Sequence, residues 1–549
     1  MIKAWDHEVD VLIAGSGAGG MVSAIAAADR GLDALVVEKA AGFGGSTALS
    51  GGGIWLPNNP TLRAKGLTDD PADVRRYLHA IVGDRVPAAR LDTYADRGPE
   101  VLTMLHRVSR HMAFTWCPGY SDYHPEEPGG RPKGRTIEPK PIDARKLGDE
   151  EDRLRGLDVP APMGLWLTGY EAKTLMMFKR DRKAWRMFPV AGWRVLSNLV
   201  RRRHMKTLGA ALIARLRLTM RDLKIPLWLE APIVELVVEN GAVVGAVVQR
   251  AGKPVRVRAR RGLILATGGF DHDPVLRDKH LPEHGRADFS MGAPTNVGDG
   301  HRLGEQVGAD LDLMDDAWWM PAIAKPDGEV FPLVSERCIP PMVIVNQEGK
   351  RFTNESSPYV NFVHDQLDGG YVPIHAILDA KARDRYQFAG ILPGQRFPGR
   401  WYKSGLVTKA DTLAELAEKI DVPADALQAT VDRFNGFART GKDEDFGRGD
   451  SAYDHYYGDP TLPNPVLDTL DAGPYYAIRL EAGDLGTKGG LVSDEHGRVL
   501  REDGSVIDGL YATGNVSASV MGNEYAGAGA TIGPAMVFGY LAVEHAATR

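Results

Sequence analysis

Cysteine is nearly absent: two residues, Cys117 and Cys338, in a chain of 549. That excludes a disulfide-stapled secreted scaffold and a thiolate metal cluster, and it points to a reducing compartment. No metal site is expected. No apolar run approaches the roughly 18–20 residues of a spanning helix. The first residues, Met1 to Val9, include Asp6, His7 and Glu8 and lack the charged-then-apolar pattern of a signal peptide. The formal charge of -6 is too small to argue for a nucleic-acid partner. A composition of 43% apolar and 25% charged residues excludes wholesale disorder, a collagen-like fibre and a coiled-coil rod. The length fits about two to four structural units at roughly 100–200 residues each. What the chain has in quantity is glycine, 63 residues, much of it clustered. Clustered glycine suits a backbone that lies close to a large ligand.

The first cluster sits in a complete βαβ pattern. Val9 to Ala14 reads as a short buried strand ended by glycine. Gly15-Ser16-Gly17-Ala18-Gly19-Gly20 follows, with Gly15, Gly17 and Gly20 in G-x-G-x-x-G spacing. Met21 to Arg30 is alanine-rich and helical in character, Gly31 ends it, and Leu32 to Val37 is a second strand closed by Glu38 and Lys39. Gly15 permits a tight turn, Gly17 lets the backbone approach a pyrophosphate, and Gly20 lets the helix pack on the strand. The helix N-terminus offers free N–H groups and a positive dipole to phosphates. Glu38, 23 residues after Gly15, is placed to accept from both ribose hydroxyls, and its charge argues against a 2′-phosphate. A packing turn that merely happens to be glycine-rich would not bring both strands, the helix and the terminal acid with it.

Small residues and hydroxyls continue through Gly42-Phe43-Gly44-Gly45-Ser46-Thr47 into Ser50-Gly51-Gly52-Gly53. A ligand whose second half runs past the pyrophosphate needs this, and NAD would not. GSGAGG, the terminal Glu38, FGGST and SGGG in this order resemble the FAD-containing flavoproteins of the succinate dehydrogenase and fumarate reductase family, and more narrowly the 3-ketosteroid dehydrogenases. The resemblance implies an α/β fold: a discontinuous Rossmann-like FAD-binding domain, residues 1–285 and 474–549, with an α/β catalytic cap, 286–473, inserted between them. FAD is the implied cofactor, held non-covalently because no histidine or cysteine stands in the FGGST turn.

Ala231 to Val238 and Ala242 to Arg250 read as a hairpin turning at Glu239-Asn240-Gly241, and Arg261 to Ala266 as a further strand leading into Thr267-Gly268-Gly269. The resemblance puts Val234 near adenine and Ala266, Thr267 and Gly268 close to FAD; plain scaffold is the equal alternative for the hairpin. Asp508 to Asn515 reads as a strand ending in a tight turn at Gly514-Asn515, and Ile532-Gly533-Pro534 opens a helix that runs to Ala546. By resemblance that helix N-terminus faces the flavin's pyrimidine edge and favours the reduced, anionic ring. In the cap, Asp411 to Ile420 and Pro423 to Thr440 carry helices, and Val343 to Asn346 is a strand turning into Arg351-Phe352-Thr353-Asn354-Glu355.

Dicarboxylate enzymes of the wider family carry a motif resembling H-T-x-G-G. This chain has Asp484-Leu485-Gly486-Thr487-Lys488-Gly489-Gly490, with no histidine, which resembles the ketosteroid dehydrogenases instead. The resemblance then marks Tyr123, Tyr359, Tyr525 and Gly529 as the catalytic set, although a lone tyrosine is ordinarily a packing residue. Removing hydrogen across C1–C2 of a 3-ketosteroid needs an electrophilic grip on the C3 carbonyl, given to the Tyr525 hydroxyl and the Gly529 N–H. It needs a base for the C2 proton, given to Tyr359, with Tyr123 stabilising its ionised form. Tyr120 competes with Tyr123 for that supporting role, and Tyr123 is preferred. The last motif departs from T-Y-P-G-x-G: it reads Glu524-Tyr525-Ala526-Gly527-Ala528-Gly529, which puts steroid preference in doubt.

One segment stands apart. Ala172 to Arg221 holds 14 Lys/Arg and one acid, a charge of +13, against -19 for the remainder. Trp185, Phe188 and Trp193 are interleaved with those cations, a pattern suited to a helix lying in a membrane interface; a solvated excursion or a subunit contact is the alternative. The expected setting is the cytoplasm, with peripheral contact at the inner face of the cytoplasmic membrane through 172–221. The partners expected are a 3-ketosteroid and an electron acceptor left open, a quinone or an artificial dye. A 3-ketosteroid Δ4-(5α)-dehydrogenase, a reductase of unsaturated acids and a catalytically idle, membrane-associated flavoprotein are the competing readings.

Overall fold

The computed structural model describes residues 4–156 and 165–549, so the leader reading at residues 1–3 lies outside the described residues. Two sheets organise the chain. In the first, of eight strands, His7–Ala14 runs parallel between Lys253–Leu265 and Ala34–Val37. Leu227–Trp228 adds in parallel beyond Ala34–Val37, and Val506–Ala512 adds in parallel beyond Lys253–Leu265. The hairpin Ile233–Glu239 and Ala242–Arg250 is present, with Ala242–Arg250 antiparallel on the long strand Lys253–Leu265, which starts eight residues earlier than its apolar end at Arg261 foretells. Polar alternation hides the first half of that strand, because only one of its faces is buried there.

The helix Ala18–Asp29 covers the first sheet and is itself covered by Ile532–Ala547. The two helices cross where side chains are smallest: a Cβ on Gly539 would lie 2.6 Å from Ser23 Oγ and 2.8 Å from Gly19 O. The first helix therefore starts three residues earlier than its alanine content indicates. Glycines 19 and 20 are poor helix formers, and tertiary packing overrides that propensity.

The second sheet is antiparallel, in the order Val330–Pro332, Ala317–Ala324, Tyr475–Thr487, Ile374–Leu378, Met342–Val345, with Val407–Ala410 also on Tyr475–Thr487. Helices Leu413–Lys419 and Ala424–Thr440 pack on one face, burying Val343, Val345, Ile377, Leu416 and Phe434. The helix Tyr359–Asp368 packs against Ala317–Ala324. The strand Tyr475–Thr487 pairs within this second sheet, so the chain returns to the first sheet after Thr487 rather than at 474. Its end bolts the sheets together: Phe270 N donates to Thr487 Oγ1 (3.0 Å) and Thr487 N donates to Asp271 Oδ1 (3.0 Å).

Two local expectations are corrected. Arg351 to Glu355 is not a strand; it is held by buried ion pairs, Arg351 to Glu355 and to Asp443, each at 2.7 Å. The basic segment 172–221 is not one unit. Leu208–Asp222 is a buried helix packed on Ala18–Asp29 and on the short helix Gly45–Leu49. There Arg215 donates to the carbonyls of Lys140 and Pro141, and Arg217 pairs with Glu150. The amphipathic excursion is confined to Gly169–Met176, Arg182–Trp185 and Met187–Arg201. On it Trp185, Trp193, Leu196, Leu199 and Val200 are exposed, and the exposed Arg182, Lys183, Arg186 and Arg201–Arg203 pair with no carboxylate among the described residues. Among the described residues no helix is long and apolar enough to cross a membrane.

Candidate active site

Four parallel strands end on one edge of the first sheet, and those ends carry Gly15, Glu38, Ala266 and Thr513. Ligands of open parallel sheets bind at this edge. Gly15 has φ +107°, and a Cβ there would stand 2.1 Å from Ala266 O; one on Gly20 would stand 2.0 Å from Gly15 O. At Gly17 the nearest atom to an added Cβ is Thr47 Oγ1 at 3.6 Å, which leaves the turn open on that side. Ser16 donates to Glu38 Oε2 from its N–H (3.1 Å) and its hydroxyl (2.6 Å), and Ala40 N donates to Glu38 Oε1 (3.0 Å). Glu38 is thereby fixed at the strand end, beside the hairpin whose Val234 is exposed and whose Ala231 N donates to Glu38 O. Lys39 forms an ion pair with Asp299.

The second glycine segment closes over the first. Gly44 and Gly45 take positive φ. Thr47 Oγ1 accepts from Ala18 N (3.2 Å), and Ser46 Oγ accepts from Ala293 N and Asn296 Nδ2, both at 2.9 Å. Ser50 Oγ accepts from Gly52 N (3.0 Å), Gly51 is exposed, and Gly53 abuts Ala528. Beyond them a cavity is lined by Trp318, Lys488, Gly514, Asn515, Thr531 and Pro534, at the start of the Ile532–Ala547 helix with its Gly533. The Thr267 hydroxyl, next to Gly268 at φ +79°, is buried without a partner. A cradle at Gly15 that a Cβ would fill, a hydroxyl without a partner among the described residues and a cavity at the start of the terminal helix fit a long dinucleotide with a planar ring system at its far end.

The three expected tyrosines arrive from three separate elements. Tyr123 lies on a loop, Tyr359 opens the helix Tyr359–Asp368, and Tyr525 lies in the glycine turn before the terminal helix. All are buried. Ring centroids are 5.4 Å apart for Tyr123 and Tyr359, 5.0 Å for Tyr123 and Tyr525, and 5.5 Å for Tyr359 and Tyr525. Tyr123 Oη donates to Tyr359 Oη (2.9 Å), and Tyr120 Oη lies 3.3 Å from Tyr123 Oη, one step further along the chain. Gly529, at φ +94°, donates its N–H to Tyr525 Oη (3.4 Å), so the two groups lie side by side. Burial pushes the Tyr359 phenol well above its ordinary range and Tyr525 adds to this, while the hydrogen bond from Tyr123 pulls the other way.

Sequence reasoning missed the aromatic wall around this set. Trp318 lies tilted at 5.0 Å from Tyr525, Tyr453 meets Tyr123 edge-on at 4.7 Å, and Tyr456 stacks at 4.1 Å on Tyr120. Three tyrosines in the eight residues from Asp450 to Tyr457, a polar loop, were the available signal. It also missed Asp271, fully buried, whose pKa is pushed up to about 6 by burial and by Asp484.

The family model described as "FAD binding domain" matches residues 10–532. A 3-oxosteroid 1-dehydrogenase of Mycolicibacterium smegmatis is 49% identical, over 98% of this chain and 96% of the relative. The crystal structure of 3-ketosteroid Δ1-dehydrogenase from Sterolibacterium denitrificans in complex with 1,4-androstadiene-3,17-dione superposes with a TM-score of 0.92 at 38% identity, covering 99% of this chain and 100% of the other. A 3-ketosteroid Δ4-(5α)-dehydrogenase from Rhodococcus jostii, at 22% identity and a TM-score of 0.71 over 100% and 99% of the two chains, shares the fold.

Proposed function

The chain belongs to the FAD-binding flavoprotein family of the 3-oxosteroid 1-dehydrogenases, and from that premise we propose how its own residues perform the reaction. It is an FAD-dependent oxidoreductase that removes hydrogen across C1–C2 of 3-ketosteroids. FAD, when bound, would supply the acceptor for the C1 hydride. Gly15 to Gly20, Glu38, Gly44 to Thr47 and Ala266 to Gly268 would hold its nucleotide half, and Gly514, Asn515, Ile532 and Gly533 its ring end. The observation that supports the chemistry best is the meeting of three buried phenols and one backbone N–H beside that ring end.

The steroid C3 oxygen accepts from Tyr525 Oη and Gly529 N–H. Polarisation there acidifies the C2 hydrogen, and charge developing on oxygen is met by donors already in place. Tyr359 Oη takes the C2 proton, and the hydrogen bond it accepts from Tyr123 offsets part of the cost of a buried phenolate. A carboxylate base is not required, and an unpaired charge would fit poorly in an apolar steroid slot. Turnover of a panel of 3-ketosteroids with product identification tests the reading: new double bonds at C1–C2 are expected, and products unsaturated only at C4–C5 would overturn it.

The partner surface is read from the Gly169–Arg201 excursion. Its exposed Trp185, Trp193, Leu196, Leu199 and Val200 beside unpaired arginines match the interface of an anionic bilayer, with apolar groups at acyl depth and guanidinium groups at phosphate depth. Flotation with vesicles containing phosphatidylglycerol tests this. Wild type is expected to float, and Trp185→Glu/Trp193→Glu is expected not to. Wild type remaining in the bottom fraction would end the proposal.

A further inference from the structure

Each of the three tyrosines has a polar neighbour in sequence, and those neighbours meet in space. His124 follows Tyr123, Asn361 lies two residues after Tyr359, and Glu524 precedes Tyr525. Asn361 Nδ2 donates to Glu524 Oε2 at 3.0 Å, and His124 Nε2 lies 3.2 Å from the same oxygen. One carboxylate oxygen thus touches the loop that carries Tyr123 and the helix that carries Tyr359, while its own backbone carries Tyr525. Burial opposes its charge, but His124, Asn361 and Lys488 outweigh burial and hold its pKa below the ordinary value.

The residue before it is anchored separately. Asn523 Nδ2 donates to Asp316 Oδ2 (3.0 Å), and the fully buried Lys488 ammonium donates to Asn523 O and to Asp316. His364, on the Tyr359 helix, reaches Asp316 Oδ1 at 2.9 Å. The Asn523 anchor fixes the turn to the second sheet and leaves the Tyr123 loop untouched. The backbone tie of that loop, Tyr123 N donating to Ala526 O at 3.1 Å, runs to the tyrosine turn alone. Besides the tyrosines themselves, Glu524 joins all three segments through its carboxylate and its backbone.

We propose that Glu524 is a positioning residue that holds the Tyr123 loop, the Tyr359 helix and the Tyr525 turn at a single spacing, so that base, supporting phenol and carbonyl grip act on one steroid ring. This rests on the tyrosine roles given above and adds a residue to them. Hydroxyls must sit within hydrogen-bond reach to act, and a displacement of about 1 Å costs roughly 10²-fold in rate.

The test compares Glu524→Ala, Glu524→Gln, Asn361→Ala and Tyr359→Phe in the FAD-loaded, full-length protein. Glu524→Ala is expected to lower kcat by about 10–100-fold with KM changed less than about threefold. It is also expected to move the rise of kcat with pH to higher pH, because a displaced Tyr123 supports the Tyr359 phenolate less. Glu524→Gln keeps an acceptor for Asn361 and is expected to recover at least about half of the activity. Asn361→Ala, which removes one arm, is expected to shift the pH profile the same way by a smaller amount; it also reads the clamp if Glu524→Ala fails to fold. An unchanged kcat and pH profile in Glu524→Ala, with Tyr359→Phe inactive, overturns the clamp and leaves the tyrosine roles standing. An active Tyr359→Phe overturns those roles, and the clamp with them.

Discussion

Replacing Tyr525 with phenylalanine removes one hydroxyl and nothing else from the carbonyl grip. The ring keeps its packing against Trp318, Tyr123 and Tyr359, at centroid separations of 5.0, 5.0 and 5.5 Å. The bond that is lost is long, 3.4 Å from Gly529 N, so its contribution to folding is small, within about 1 kcal/mol. In catalysis the loss is larger. One of two donors to the developing oxyanion is gone, in a pocket closed to water, and a single such donor is worth about 10²–10³ in kcat, about 2.7–4 kcal/mol. The remaining Gly529 N–H cannot follow the oxygen, since its turn packs directly on Gly53. The assay is steady-state reduction of an artificial dye with androst-4-ene-3,17-dione, with bound flavin measured by its visible absorbance and stability by thermal unfolding. Flavin content and Tm near wild type, with kcat lower by about two orders of magnitude, are expected. A kcat within about fivefold of wild type at full flavin occupancy would refute the assignment of the grip.

Three further outcomes follow from the geometry. Burial raises the Tyr359 pKa and the base must be ionised, so turnover should climb with pH through the neutral and alkaline range; in Tyr123→Phe the climb should start at higher pH, and a pH profile identical to wild type would count against the pair. Gly20→Ala puts a methyl 2.0 Å from Gly15 O, and the protein should purify without yellow colour; full flavin occupancy would contradict the turn's role. Burial opposes the charge on Asp316, but Lys488 and His364 outweigh it and bring its pKa to about 2. The stability it contributes is therefore present above its ordinary pKa of 3.8 and is lost as pH falls towards 2. Asp316→Asn leaves the Lys488 ammonium buried without a counter-ion and should cost about 3–5 kcal/mol at neutral pH, read by denaturant unfolding.

Local patterns were legible wherever a short stretch of chain carries its own physical constraint. Gly15 and Gly20 were readable because no other residue fits those turns. The strand Val9 to Ala14 was readable because its stretch Val11 to Ala14, buried on both faces, is apolar. The tyrosines could be marked only through family resemblance, since composition gives a phenol no signature.

Short-range sequence pattern was enough for the nucleotide turn, because that turn depends on residues within about thirty positions of one another. Tertiary structure alone decided the rest. It split the basic segment, since the charges of Arg215 and Arg217 are satisfied by Lys140, Pro141 and Glu150, more than sixty residues away. It put Tyr475–Thr487 in the second sheet and closed Tyr453 and Tyr456 around the site. And it brought Tyr123 to Tyr359, 236 positions apart, because a hydrogen bond is set by distance in space, which chain order does not encode.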